Sequence, residues 1–331
     1  MTRIAVLGGG SWGTTLAGML SDKGHETGLW VREPELVREI KNTGENSWFL
    51  PGFKLHERLM VSAELREIMQ GADYFLLAIP TQFLRQMLQK AWEFFPENPV
   101  VICASKGVEL GTLKPMSEMV AETLQGRNPR YAVLSGPSFA KEVSSRLPTA
   151  VSLGCEDVQL GRQLQDVLST DFFRVYANPD YRGVELGGAL KNIMAIAAGI
   201  SDGLEFGHDA RAALITRGLV EMARFGVALG AREKTFMGLS GMGDLVLTCT
   251  GDLSRNRQVG LKLGRGMTLE QILSGTRMVA EGVKTTESVW HLARRIHVDM
   301  PITQQVYQVL FQDKDPRQGV EDLMTRDLKM E

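Results

Sequence analysis

Residues 4–18, IAVLGGGSWGTTLAG, determine the fold that we predict for this chain. The stretch begins with an apolar run of strand length, Ile4–Leu7, and a helix-compatible run starts at Ser11. Between them stand three glycines with G-x-G-x-x-G spacing: Gly8, Gly10 and Gly13. The order is therefore strand, tight turn, helix, and a second strand-like run, Glu26–Val31, completes a βαβ unit. A plain structural turn is the alternative, but the βαβ context favours a dinucleotide site.

The spacing of the three glycines matches what a pyrophosphate needs. Gly8 lets the chain reverse sharply, Gly10 removes a Cβ where the pyrophosphate approaches, and Gly13 lets helix and strand pack closely. The N-terminus of the following helix offers backbone N–H groups to the anion.

Length and composition limit the class of protein. A chain of 331 residues suggests two domains, and 44% hydrophobic with 23% charged residues is typical of a globular protein. A net charge of −2 gives no reason to expect nucleic acid or an anionic membrane as partner. The cysteines (Cys103, Cys155 and Cys249) and the five histidines lack metal-ligand spacing, so no metal is expected. The longest apolar run, 193–200, is broken by Gly199 and fits a buried helix rather than a membrane span. The first strand begins so early that we expect no signal peptide. We therefore expect a cytoplasmic protein.

The first half alternates apolar strands with helices, which predicts an α/β fold with a parallel sheet of Rossmann type, covered on both faces. The predicted strands are 4–7, 27–31, 74–79, 100–104, 131–134, 149–153 and, at the edge, 172–176; helices are predicted at 34–42 and 82–95. Loops after the strands' carboxyl ends carry Arg32, Pro80-Thr81, 105–107 and 136–138, and ligands are expected there. From Glu185 onward the pattern is helical. We predict a dinucleotide-binding domain at 1–180 and a helical substrate-binding and catalytic domain at 181–331, joined near Asn178-Pro179-Asp180.

Arg32 stands where an acidic residue would hold the ribose of NAD. A guanidinium can bind a 2′-phosphate in a bidentate way, so we expect NADP(H) to be preferred and NAD(H) to be accepted. The alternative is a solvated Arg32 with Glu33 serving the ribose.

The helical half opens with LGGALKN, in which Lys191 lies among small and apolar residues. Burial and a nearby cation such as Lys106 would both favour a neutral amine, which suits proton transfer. A lysine that extends from the helix edge to solvent is an equally good interpretation.

Two further segments resemble ligand sites. Residues 238–244, GLSGMGD, form a Gly-rich loop that ends in the carboxylate of Asp244. Ser254 is a plausible N-cap for a helix that runs to Leu263 and is terminated by Gly264, and this helix start carries Arg255 and Asn256. Hydroxyl, guanidinium, amide and N–H groups together outline a phosphate site, although an ordinary capped surface helix is the alternative. No G-x-S-x-G or P-loop supports a hydrolase or kinase.

Taken together, these motifs resemble the bacterial NAD(P)-dependent glycerol-3-phosphate dehydrogenases along nearly the full chain. The matching segments are GGGSWGTTLA, ASKG ending at Gly107, LSGPSFAKEV from Leu134, LKN at 190–192, GLSGMGDL from Gly238, SRN from Ser254 and VAEGVKT at 279–285. Several independent segments agree, in the family's order.

The resemblance implies reversible reduction of dihydroxyacetone phosphate to sn-glycerol 3-phosphate, which supplies glycerophospholipid synthesis, and a helical second domain like that of 6-phosphogluconate dehydrogenase. It implies that Lys191 is the general acid/base and that Lys106 and Asp244 act beside it. Expected nucleotide contacts are Gly8, Gly10, Ser11, Trp12, Gly13, Arg32, Lys106, Ala140, Arg255, Val279 and Glu281. Expected substrate contacts are Lys106, Gly136, Ser138, Lys191, Asp244, Ser254, Arg255 and Asn256.

Two other functions stay open on the sequence. A related two-domain dehydrogenase of β-hydroxyacids or ketoacids would share the glycine turn and the lysine, but would not predict the phosphate cluster. A non-catalytic NADPH sensor would lack the proton donor. We also expect a homodimer, because an exposed apolar helical surface in the second half would suit one.

Overall fold

The computed structural model describes residues 2–274 and 280–328, and the chain divides into two compact units. Unit 1 comprises Met1–Lys106 and Met116–Val184, and unit 2 comprises Gly107–Pro115 and Glu185–Glu331. The observed division of the chain therefore differs from the predicted one, at residue 180, in two ways. The boundary falls a few residues later, and the excursion 107–115 belongs to unit 2 because Val108 is fully buried in the core of that unit.

Unit 1 is built on an eight-stranded sheet with the order β3-β2-β1-β4-β5-β6-β7-β8. Its strands are β1 (Arg3–Leu7), β2 (Glu26–Trp30), β3 (Met60–Ser62), β4 (Tyr74–Leu77), β5 (Val100–Cys103), β6 (Arg130–Ser135), β7 (Thr149–Gly154) and β8 (Phe173–Asn178). The predicted strands are present with bounds shifted by one or two residues, and the short β3 was not predicted.

The expectation of a wholly parallel sheet is wrong at one pair. Strands from β3 to β6 pair in parallel, but β7 pairs antiparallel with β6 and parallel with β8. The connection from β6 to β7 contains only the five-residue helix Ala140–Ser144. Such a helix rises about 8 Å, too little to carry the chain back along a strand of about 20 Å, so the chain returns antiparallel.

Helices cover both faces of this sheet. They are α1 (Ser11–Asp22), α2 (Pro34–Thr43), α3 (Leu65–Met69), α4 (Thr81–Ala91), α5 (Met116–Thr123), α6 (Ala140–Ser144) and α7 (Val158–Leu168); α4 is followed by a 3₁₀ turn at Trp92–Phe94. Alternate residues of β1 enter different cores: Ile4 and Val6 belong to one, and Ala5 and Leu7 to the other. This alternation is what a strand buried on both faces requires, and it confirms the predicted doubly covered sheet.

All regular elements in residues 185–274 and 280–328 are helical. They are α8 (Tyr181–Gly203), whose first turn lies in unit 1, α9 (Gly207–Ala228), α10 (Glu233–Phe236), a π-helix (Leu239–Gly243), α11 (Asp244–Thr250), α12 (Arg255–Gly264), α13 (Leu269–Ser274), α14 (Glu281–Arg295), α15 (Pro301–Phe311) and α16 (Pro316–Met324). The predicted fold class, a Rossmann-type sheet followed by a helical domain, is confirmed.

Helix α8 is the centre of unit 2. It has the length and mean hydropathy, 1.2, of a membrane span, but that stretch is entirely buried inside the protein, as expected of a core helix. Close packing against α12 depends on glycine: a Cβ at Gly199 would lie 2.1 Å from the Arg257 carbonyl oxygen, and one at Gly260 would lie 2.0 Å from the Ile196 carbonyl oxygen.

Gly264 belongs to the same contact. A Cβ there would lie 2.5 Å from the Ile200 carbonyl oxygen, and Gly264 is still helical. The helix ends at Gly264, one residue later than predicted, and Gly264 itself does not form a left-handed cap. The left-handed residue is Gly266, with φ +88°, two residues further on.

Candidate functional site

The glycine turn of unit 1 has the shape that the sequence predicts. Gly8 adopts φ +127°, and a Cβ there would lie 2.4 Å from the Ala78 carbonyl oxygen. A Cβ at Gly13 would lie 1.9 Å from the Gly8 carbonyl oxygen, so the turn and α1 can meet only through glycine. In contrast, a Cβ at Gly10 would meet nothing within 4 Å. The open space in front of Gly10, at the N-terminus of α1, fits the diphosphate of a dinucleotide.

Asn46 supports this turn, although no sequence motif points to it. The residue is fully buried, and its Nδ2 donates to the Gly9 carbonyl oxygen and to Thr14 Oγ1, both at 2.8 Å. A polar residue in the loop after α2 carries no signal of such a contact, because its partners lie more than thirty residues away along the chain.

Trp12 lies at the start of α1, next to the buried Ser11. Its indole ring contacts Phe173 with centroids 6.4 Å apart. Its Nε1 is buried and has no hydrogen-bond partner within residues 2–274 and 280–328. Trp12 thus offers one donor close to the turn.

Arg32 follows β2, at the same edge of the sheet as the glycine turn. The Gly8 amide donates to the Trp30 carbonyl oxygen at 3.1 Å, which joins the turn to the end of β2. Arg32 Nε and Nη2 lie 2.8 and 2.5 Å from Glu33 Oε1. The two residues that the sequence offered as alternatives therefore form one ion pair.

The loops after β5 and β6 are also connected. Ser105 Oγ donates to the Ile79 carbonyl oxygen at 2.5 Å, and Lys106 Nζ donates to the Gly136 carbonyl oxygen at 3.5 Å. Ser138 Oγ donates to the same Gly136 oxygen at 2.9 Å. Gly136 has φ +145°, and a Cβ would lie 2.9 Å from Val151 Cα.

Ala140 begins α6, which packs against α1. The Ala140 carbonyl oxygen accepts a hydrogen bond from Thr15 Oγ1 at 3.3 Å. In unit 1, Lys106 and Ser138 therefore both contact the Gly136 carbonyl oxygen, and Ala140 contacts α1.

In unit 2, Lys191 and Asp244 form a buried ion pair. Lys191 is 7% exposed and Asp244 is fully buried, and Lys191 Nζ donates to Asp244 Oδ1. Burial and a neighbouring cation are the surroundings that we predict for Lys191 from the sequence, but within unit 2 its partner is a carboxylate. An adjacent carboxylate stabilises the ammonium form, which is the form that can give a proton.

Glycines in two elements allow this pair to form. A Cβ at Gly187, one turn before Lys191 in α8, would lie 2.5 Å from the Ser240 carbonyl oxygen. The π-helix before Asp244 is equally tight, since a Cβ at Gly241 would lie 2.0 Å from the Phe236 carbonyl oxygen. Only glycine permits α8 and the 238–244 loop to approach so closely, and this approach places Asp244 beside Lys191.

Thr248 completes the cluster and was not among the residues predicted from the sequence. Its Oγ1 accepts from Lys191 Nζ at 2.8 Å and lies 2.6 Å from the Asp244 carbonyl oxygen and 3.2 Å from Asp244 Oδ1. The available signal was its position four residues after Asp244, on the same face of one helix.

The start of α12 is built as the sequence predicts, but its polar groups already have partners. Ser254 is the N-cap, and its Oγ accepts from the Arg257 amide at 3.2 Å. Asn256 Nδ2 donates to Asn192 Oδ1 at 2.9 Å, and Asn256 Oδ1 accepts from the Gly282 amide at 3.0 Å. Asn256 thereby links α8, α12 and the first turn of α14.

Arg255 and Arg257 have different surroundings. Arg255 is exposed, and the carboxylate of Glu281 at the start of α14 is a neighbouring charge that favours the guanidinium. Arg257 is buried and donates to Asp202 at 2.9 and 2.7 Å and to Asp252 at 2.8 Å. Arg255 is therefore the side chain of this segment that can reach an external anion, while Arg257 holds α12 to the end of α8. Val279, a predicted nucleotide contact, lies outside the described residues.

A Rossmann-type unit with a dinucleotide turn and a helical unit with a buried lysine–aspartate pair define the class of two-domain nicotinamide-dependent oxidoreductases. Family models agree: the NAD-dependent glycerol-3-phosphate dehydrogenase N-terminus matches residues 3–161, and the corresponding C-terminus matches residues 180–321. The chain belongs to the NAD-dependent glycerol-3-phosphate dehydrogenase family, which confirms the predicted resemblance.

Individual relatives cover the full chain. A glycerol-3-phosphate dehydrogenase [NAD(P)+] of Maridesulfovibrio salexigens is 64% identical over 99% of this chain and 100% of its own length. One of Solidesulfovibrio magneticus is 57% identical over the same shares. The crystal structure of the glycerol-3-phosphate dehydrogenase of Coxiella burnetii superimposes with a TM-score of 0.94 at 41% identity, covering 98% of this chain and 99% of that one.

Proposed function

We propose that this chain catalyses the reversible, NAD(P)H-dependent reduction of dihydroxyacetone phosphate to sn-glycerol 3-phosphate. The observation that carries the proposal is the buried cluster of Lys191, Asp244 and Thr248 in a chain of this family. The bound cofactor supplies the hydride that is added to C2 of the substrate. The protein must supply a proton for the C2 oxygen and hold the phosphate.

Lys191 is the proton donor in this proposal. Its ammonium group is held by Asp244 and Thr248, which fixes the direction of Nζ and keeps it charged in a buried setting. In the reverse direction the neutral amine takes the proton back from the C2 hydroxyl. We assign Asp244 two roles, orienting Lys191 and accepting from a substrate hydroxyl, and we assign Lys106 to contacts with cofactor and substrate.

The phosphate group of the substrate is assigned to the start of α12. Arg255 is exposed there, beside the N-terminus of a capped ten-residue helix, which attracts anions. Ser254 and Asn256 have partners within unit 2, so they contribute by shaping the helix start and through their remaining hydrogen-bonding capacity. In unit 1, Gly136 and Ser138 are assigned to the substrate side.

The cofactor is assigned to the glycine turn of unit 1. Gly8, Gly10, Gly13, Ser11 and Trp12 form the diphosphate end, and open space in front of Gly10 supports that assignment. Arg32 supports a preference for NADP(H), with NAD(H) also used, because its guanidinium stands at the end of β2. Ala140, Arg255, Val279 and Glu281 are further assigned contacts.

We propose that the reaction takes place in the cytoplasm and supplies precursors of glycerophospholipids. The three cysteines are buried and free, which suits a reducing compartment.

Exposed apolar side chains on α9, α11 and the loop before the π-helix support a homodimer: Val220, Val227, Met237 and Val246. Light scattering of the purified protein tests this assembly directly.

Oxidation of NADPH in the presence of a substrate panel tests the activity. Dihydroxyacetone phosphate is expected to support turnover, whereas ketoacids are not; turnover with a ketoacid alone would establish the alternative, a related ketoacid dehydrogenase. Lys191→Ala is expected to lower kcat by at least about 100-fold while NADPH binding changes little. Lys262→Ala, which removes the positive charge of an exposed lysine in α12, is the matched control. Near-normal turnover of Lys191→Ala would refute the assignment.

A further inference from the structure

The ion pair at the end of β2 has an uneven geometry. Two of the three guanidinium nitrogens of Arg32, Nε and Nη2, contact a single oxygen, Glu33 Oε1, at 2.8 and 2.5 Å. Within the described parts of the chain, Glu33 Oε2 and Arg32 Nη1 have no other partner. The Arg32 side chain is 70% exposed, whereas that of Glu33 is 25% exposed. Within the described residues, Arg32 Nη1 and Glu33 Oε2 are therefore the two atoms of the pair that remain available to a ligand.

Glu33 is the anchored member of this pair. It is the N-cap residue of α2, its carbonyl oxygen accepts from the Val37 amide at 3.1 Å, and Pro34 follows as the first helical residue. Its side chain makes no capping hydrogen bond. The positive end of the ten-residue helix nevertheless stabilises a carboxylate at this point.

We propose that Glu33 is a specificity-determining residue that sets the relative affinity for NADPH and NADH by competing with a ribose 2′-phosphate for Arg32. The inference rests on the proposed dinucleotide function of unit 1. The location of Glu33 supports the proposal. The Gly8 amide donates to the Trp30 carbonyl oxygen, which holds the end of β2 beside the glycine turn. The adenosine ribose is expected at this strand end in a Rossmann-type sheet.

The two nucleotides make opposite demands on the pair. A 2′-phosphate carries about −1.5 to −2 charges and binds a guanidinium in a bidentate way, so it competes with Glu33 for Arg32 Nη2 while the nearby carboxylate repels it. A 2′-hydroxyl is a donor, which Glu33 Oε2 can accept without breaking the contact between Oε1 and Arg32. Glu33 therefore weakens NADPH binding and leaves NADH binding intact, so the two affinities become more similar than Arg32 alone would make them.

Equilibrium binding of NADPH and NADH, followed by nucleotide fluorescence, tests this competition without relying on turnover. Glu33→Gln is expected to raise the NADPH-to-NADH affinity ratio about fivefold, the size of a partly exposed ion pair, and the gain is expected to shrink at high salt. In the Arg32→Ala background, Glu33→Gln is expected to change the ratio by less than about twofold, because no guanidinium remains to be released. An equal gain in both backgrounds would overturn the competition.

Glu35→Gln is the matched control. Glu35 lies in the first turn of the same helix, pairs with Arg38 at 3.4 Å, and its substitution changes the net charge by the same amount. The nucleotide ratio is expected to stay unchanged in this variant, and a gain as large as that of Glu33→Gln would overturn the proposal in favour of a general charge effect. Failure of the wild-type protein to bind either nucleotide would overturn the proposed function and this inference together. Normal binding of both with an unchanged ratio in Glu33→Gln would overturn this inference alone.

Discussion

Thr248 Oγ1 lies 2.8 Å from Lys191 Nζ and 3.2 Å from Asp244 Oδ1, so one hydroxyl contacts both members of the buried ion pair. The hydroxyl accepts from the ammonium group, and the nearer acceptor for its own hydrogen is the Asp244 carbonyl oxygen at 2.6 Å. Because Thr248 and Asp244 share a face of α11, the helix presents Lys191 with two oxygens at once. The direction of the lysine side chain is thereby fixed by helix geometry.

Thr248→Val tests the value of that contact. Valine has a similar shape but cannot accept the hydrogen bond from Lys191, and a hydrogen bond to a charged group is worth about 1.5–3 kcal/mol. We therefore expect kcat to fall by about tenfold or more, with little change in NADPH affinity. Thr250→Val is the control, because Thr250 is exposed and its Oγ1 donates to the Val246 carbonyl oxygen at 2.7 Å, away from the ion pair. Equal kinetics for the two variants would contradict this role of Thr248.

Asn256→Asp tests the link between α12, α8 and α14. The carboxylate can still accept from the Gly282 amide, but it cannot donate to Asn192 Oδ1, and it adds a negative charge beside Arg255. We expect KM for dihydroxyacetone phosphate to rise by about tenfold or more, since the proposed substrate is an anion. Gln258→Glu adds the same charge in the same helix without contacting Asn192. A similar rise in KM for both variants would show that charge alone, and not the amide link, is responsible.

Gly260→Ala tests the close packing of α8 and α12. The new Cβ would lie 2.0 Å from the Ile196 carbonyl oxygen and 2.8 Å from the Ile200 amide nitrogen, so the two helix backbones must separate. We expect the free energy of unfolding to fall by about 3 kcal/mol, seen as a lower Tm. Gly319→Ala in α16 is the control, because its Cβ would meet Gln305 only at 3.5 Å and alanine favours a helix. Equal thermal stability of the two variants would contradict the packing account.

The features that the sequence predicts well are local ones. The glycine turn, the start of α1 at Ser11 and the N-cap at Ser254 each follow from a few adjacent residues. The features that it missed depend on contacts between distant segments: Asn46 lies 37 residues from Gly9, and Thr248 lies 57 residues from Lys191. The direction of β7 likewise depends on how far the preceding short helix can carry the chain, which periodicity does not reveal.

The cysteine thiols provide a prediction about reactivity. Burial raises the pKa of Cys249 to about 12 and also raises the pKa of Cys155, and Cys103 is fully buried. Because the thiolate is the reactive form, we expect the native protein to resist thiol reagents and to release three equivalents only after unfolding in guanidinium. Cys249→Ala should reduce the unfolded count to two. Rapid labelling of one native cysteine would contradict this expectation.

Glu221 connects stability to pH. Its buried carboxylate accepts from the Ile302 and Thr303 amides at 2.8 and 2.9 Å, at the start of α15, and burial raises its pKa above the ordinary 4.5. A raised folded-state pKa means that its contribution to stability is complete below 4.5 and is lost as pH rises through the folded-state value. Glu221→Gln leaves one amide without an acceptor and should destabilise by about 1–3 kcal/mol, with the difference from wild type largest at low pH and smaller as pH rises. Denaturant unfolding at several pH values measures the free energy of unfolding of both proteins. Glu321→Gln, at an exposed position, is the control. A difference in stability between wild type and Glu221→Gln that grows with pH would contradict the assignment.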